Sequence, residues 1–93
     1  MDTTIDAAIN QAAQILKAEG AREVYLFGSE AAGTAGAASD VDLAVAGLPP
    51  AAYYHVVGIL TGILRRPLDL VDLDEPTPFT EYLKRKGKLR RVA

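Results

Sequence analysis

Residues 26–45 run LFGSEAAGTAGAASDVDLAV, and this stretch limits what the chain can become more than any other. An apolar run stops at Gly28-Ser29. Ten mostly small residues follow, and a second apolar run then carries Asp40 and Asp42, one residue apart. Short apolar runs bounded this way are strands, and side chains at i and i+2 of a strand share a face. Asp40 and Asp42 are therefore expected to project together, roughly 6.5–7 Å apart along the backbone, with Val41 and Leu43 opposite. Two like charges at that spacing raise each other's pKa and oppose folding unless a cation sits between them. A magnesium ion would suit the pair, since it takes one or two carboxylates plus substrate phosphates as ligands. For an isolated pair, a solvated strand face or a turn cap would be the better explanation.

Gly28-Ser29 shifts that balance. A glycine directly after a strand can take the backbone geometry of a sharp turn. Ser29 can then cap the next short helix, whose free N–H groups favour a phosphate. The glycines and alanines of 31–38 let the backbone pass close to a ligand. A flexible connector would account for the small residues. It would not account for a phosphate-binding turn beside a carboxylate pair.

The remaining pattern places these elements in one domain spanning residues 1–93. Ile5, Ala8, Ile9, Ala12, Ile15 and Leu16 recur at helical spacing, with Thr3 or Thr4 as the N-cap and Gly20 as a left-handed C-terminal cap. Strands are expected at 24–27, 40–45 and 68–73. A helix over 51–64 follows Pro49-Pro50 and carries Tyr53, Val56, Val57, Leu60, Ile63 and Leu64. A last helix over 79–86 places Tyr82 and Leu83 inward and stops at Gly87; KLRRV beyond it reads as an edge strand. The expected fold class is α/β (α+β): a small mixed sheet of three to four strands with helices packed on it. Tyr25, Tyr53, Tyr54 and Tyr82 read as core or half-buried packing. The single histidine, His55, reads as a surface or helix–sheet contact.

Composition excludes several classes of function. With no cysteine there is neither a disulfide nor a thiolate metal site. No apolar run approaches the ~18 residues of a membrane span, and the polar, acidic start is unlike a signal peptide. A cytoplasmic chain is expected. Residues 1–83 hold 12 acids against four bases, a net −8, whereas 84–93 hold six bases and no acid. Cations favour a helix C-terminus, and six without interleaved aromatics are weak evidence for a nucleic-acid site.

Gly28-Ser29, ten residues, then Asp40-Val41-Asp42 resembles the G-S-x10-D-x-D signature of the DNA polymerase β-like nucleotidyltransferases, and within them the short minimal nucleotidyltransferases. Ser39 before the first aspartate and Leu43-Ala44-Val45 after the second also fit. The resemblance implies the nucleotidyltransferase fold and a third carboxylate on a later strand. Asp69 and Asp72 are the two candidates; Asp69 is taken, because RRPLDLV matches the family's h-D-h pattern, while Asp72 resembles an exposed strand end. It further implies Gly28 and Ser29 as the nucleotide-binding residues, and Asp40, Asp42 and Asp69 as metal ligands and catalytic residues for two Mg2+ ions. The third carboxylate of the family also activates the attacking hydroxyl. Two metals ~3.5–4 Å apart clamp the entering and leaving oxygens of such a displacement. In one position the chain departs from the pattern: Ala32 stands where many relatives carry an arginine, and Glu30 adds a negative charge.

What the resemblance implies is magnesium-dependent transfer of AMP from ATP to an acceptor hydroxyl, releasing pyrophosphate. Ninety-three residues leave no room for an acceptor domain, so a partner must bring the acceptor. In the minimal family that partner is often a helical HEPN-domain toxin, neutralised in some cases by adding AMP to a tyrosine. The alternative is an antitoxin-like subunit that neutralises its partner by occlusion alone, a role in which Ala32 would carry no penalty. A nucleic-acid module using the basic tail is the weakest alternative, and self-association is left open.

Overall fold

The structure is a computed structural model and describes residues 3–28, 40–86 and 89–93. Helix α1 (Thr3–Ala18) leads into strand β1 (Glu23–Phe27), and β2 (Val41–Ala46) follows the small-residue connection. A 3-10 turn (Pro50–Ala52) opens helix α2 (Tyr53–Leu64). Strand β3 (Leu68–Asp72), helix α3 (Pro78–Lys86) and the two-residue strand β4 (Arg90–Arg91) complete the chain. The side chains of Thr3 and Thr4, together with Ser29, Glu30, Ala32 and Gly87, lie outside the described part.

The sheet order is β3-β2-β1-β4. β1 pairs antiparallel with β2 and with β4, and β2 pairs parallel with β3. The sheet is thus mixed and four-stranded, with Arg90–Arg91 supplying one edge. Strand alternation sends Val24, Leu26, Val41, Leu43 and Val45 to one face, where Ile9, Ala12, Leu16, Val56, Leu60 and Leu64 of α1 and α2 cover them. The opposite parity sends Phe27, Ala44 and Ala46 to the other face, against Leu73, just past β3, and Leu83 of α3. β2 is therefore covered on both sides, and every position in it is buried except Asp42.

The end of α1 shows local sequence setting local structure. Gly20 has φ +118, a conformation glycine adopts without cost. This lets the Ala21 N–H reach the Leu16 carbonyl at 3.0 Å and the Gly20 N–H reach Lys17 at 3.1 Å, a Schellman closure.

Four expectations need correction. The helix expected over 51–64 begins as a 3-10 turn, because Pro50 is its first residue and the Ala52 N–H bonds to the Pro49 carbonyl at 2.9 Å. Strand β2 begins at Val41, so Asp40 stands just outside it and is exposed. Tyr54 is 94% exposed instead of packed. The buried stripe of α2 runs through Val56, Leu60 and Leu64, and two residues back from Val56 lies about 200° around the helix. Tyr82 is likewise exposed: Thr80 and Leu83 form the inner face of α3.

Candidate functional site

Asp42 enters the site through an unfavourable position. A carboxylate in the central strand loses hydration unless something compensates, and five apolar neighbours in β2 fix the register so that Asp42 cannot slip outward. Its partner across the parallel ladder is Asp69. Neighbouring strands lie ~4.8 Å apart and paired residues share a face, so the two carboxyls stand side by side. That face is the α3 side, shared with Ala44 and Val71. Asp69 is exposed and Asp42 half-buried. Burial first, and then the charges of Asp69 and Asp40, push the Asp42 carboxyl above the usual range. Asp69 and Asp40 therefore both act electrostatically on Asp42.

On the other side of Asp42 lies β1. Phe27 is its register partner, and Gly28 follows directly. Gly28 has φ +71, and a Cβ built there would land on Asp42 Oδ2, with Cγ at 3.2 Å. The Asp42 carboxylate thus fills the space that any other residue at 28 would need. Gly28 is beside the carboxylates, as the sequence leads one to expect of the turn.

Asp72 goes elsewhere. It shares parity with Leu68 and Leu70, on the α1–α2 side, and accepts the Asp74 N–H at 2.9 Å. Its charge also reaches the buried Tyr53 hydroxyl without meeting hydrogen-bond geometry; burial and then Asp72 hold that phenol far above its ordinary pKa. Asp74 in turn accepts the Gly47 N–H at 2.6 Å and faces Arg22 at 3.5 Å. These two acids close a turn at the opposite end of the sheet.

The turn carrying Arg65 adjoins the start of β2. Arg65 takes the left-handed conformation with φ 56, and the Val41 N–H bonds to the Pro67 carbonyl at 2.8 Å. A basic turn thereby stands next to Asp40. At the start of α3, Phe79 meets Phe27 edge-on with ring centroids 5.8 Å apart. No local pattern could reveal a contact between segments so distant along the chain.

The donor chemistry fits a hard divalent cation. Carboxylate oxygens on one face, one of them destabilised by its neighbours' charge, are what such an ion would neutralise. Among the described residues, no three Asp, Glu or His side chains converge closely enough to hold a metal by themselves. Also among them, no helix is long and apolar enough to cross a membrane.

No curated protein matches the chain in sequence. Solved structures do match in shape. A structure solved as that of a "putative minimal nucleotidyltransferase" superposes with a TM-score of 0.77 at 26% identity, covering 98% of this chain and 93% of that one. A toxin–antitoxin crystallised with AMP-PNP gives 0.70 at 26% identity, covering 91% and 69%. The complex of the tri-AMPylated Shewanella oneidensis HEPN toxin with MNT antitoxin gives 0.67 at 22% identity, covering 94% and 70%, a likeness of fold. The polymerase β nucleotidyltransferase family model matches residues 10–89, which include Gly28, both aspartates of the DxD and Asp69. By that match, the chain belongs to the polymerase β nucleotidyltransferase family.

Proposed function

We propose that the protein transfers AMP from ATP to a hydroxyl on a partner protein, and that it serves as the antitoxin of a HEPN-type pair. The observation that carries this reading is the register pairing of Asp42 with Asp69, with Gly28 packed against the Asp42 carboxyl. Gly28 and Ser29 would hold the β- and γ-phosphates. Asp40, Asp42 and Asp69 would hold magnesium, two ions by the family pattern. When bound, magnesium supplies positive charge that neutralises phosphate oxygens on the entering and leaving sides.

The chain's own part is positional and acid–base. Asp69, exposed at the edge strand, is open to an incoming hydroxyl and would accept its proton. The acceptor oxygen then bonds to the α-phosphorus, the bond from that phosphorus to the bridging oxygen breaks, and pyrophosphate leaves. The crowded Asp42 charge keeps the unloaded site receptive to cations. The antitoxin role and the HEPN partner are supported by neighbours that are themselves toxin–antitoxin complexes, one bearing AMP groups on its toxin.

A second reading, neutralisation by occlusion alone, is favoured by one observation. Ala32 replaces an arginine of many relatives, removing a cation from the phosphate loop. One experiment separates the two. Incubation with ATP labelled at the α-phosphate, Mg2+ and a co-purified partner should label the partner, and Asp42→Asn should abolish that label. Partner neutralisation without any label, unchanged in Asp42→Asn, would support occlusion.

A further inference from the structure

We infer that the ring of Phe79 is the platform on which the base of a bound nucleotide lies; this rests on the nucleotide reading above. Phe79 is 48% exposed, one of few large apolar side chains left open to solvent. It stands on the α3 side of the sheet, the side to which Asp42 and Asp69 point. The link to the site is short: Phe79 touches Phe27, Phe27 is the cross-strand partner of Asp42, and Gly28 follows Phe27. Cross-strand partners have Cβ atoms about 5 Å apart, which puts the Phe79 ring on the order of 10 Å from the Asp42 carboxyl. A ribose spans such a gap between phosphates at Gly28 and a flat base on Phe79.

The ring is also held in place beforehand. Thr77 and Thr80 cap the start of α3 reciprocally: the Thr80 N–H donates to Thr77 Oγ1 at 3.1 Å and the Thr77 N–H to Thr80 Oγ1 at 3.0 Å. The Thr80 hydroxyl donates to the Glu75 carbonyl at 2.6 Å, and Thr80 is itself buried. Phe79 sits between these two threonines, so its backbone is fixed. Bases stack on aromatic faces with little regard to sequence, and losing such a platform typically weakens binding severalfold or more.

The test compares two probes, ATP and inorganic tripolyphosphate, each titrated calorimetrically with Mg2+ into the wild-type chain and its variants. Tripolyphosphate has no base to stack. Phe79→Ala should weaken ATP roughly tenfold and leave tripolyphosphate unchanged. Phe79→Leu, which keeps apolar bulk against Phe27 and an unchanged melting temperature, should lose ATP in the same way. Phe79→Trp should restore it. Equal losses for both probes, or no loss for either, overturns the platform. Wild-type protein that binds ATP no better than tripolyphosphate overturns it while leaving the phosphate site standing. Wild-type protein that binds neither overturns both.

Discussion

The carboxylate of Asp42 occupies the volume a side chain at Gly28 would need. Strand end and acid are therefore coupled, and the glycine is required twice, by φ +71 and by this contact. Gly28→Ala should cost about 1–3 kcal/mol from the backbone alone, read as a lower urea midpoint. Asp42→Ala introduced into that variant should recover part of the loss. A double-mutant cycle that shows additivity would separate the two residues.

Asp42 should make stability fall as pH rises. Its carboxyl is raised in the fold by burial and by Asp69 and Asp40, so the native state binds the proton more tightly than the unfolded chain. The penalty is absent below the unfolded value, ~3.9, and fully present above the native one. Asp42→Asn should melt higher than wild type at pH 7, with the gap closing towards pH 4. Magnesium should raise the wild-type melting temperature and leave the variant unmoved.

The Thr80 hydroxyl joins two backbone groups at the start of α3, accepting the Thr77 N–H and donating to the Glu75 carbonyl. Thr80→Val keeps the shape and deletes the hydroxyl. Buried polar groups left unpaired cost about 1–3 kcal/mol, which chemical denaturation should detect.

Tyr53 presents the opposite case. Its hydroxyl is buried without a hydrogen-bond partner, near the charge of Asp72. Tyr53→Phe should be neutral or raise stability by up to about 1 kcal/mol, since no bond is lost. A loss beyond that in thermal melts would show that the hydroxyl does have a partner.

How much of this was legible in sequence depended on range. Glycine after a strand and the helical stripe of α1 are local patterns, and each points to its element without help; the aspartate spacing points to a strand that in the fold holds Asp42 and begins one residue after Asp40. The resemblance to the family's h-D-h pattern favours Asp69 over Asp72, and the register puts Asp69 beside Asp42 and Asp72 on the other face. The pairing of β2 with β3, the packing of Gly28 on Asp42 and the contact of Phe79 with Phe27 are long-range, fixed only when helices and sheet close on one core. For Tyr54, apolar character alone does not say which side of a helix is covered; the Val56–Leu60–Leu64 stripe decides it.

The central claim is that Asp42 and its neighbours bind nucleotide through a divalent ion. Calorimetric titration of ATP into the wild-type chain, with Mg2+ and then with EDTA, tests it most directly. The account predicts binding with magnesium that disappears in EDTA and in Asp42→Asn. Binding that is indifferent to both, or no binding at all in the presence of magnesium, would contradict it.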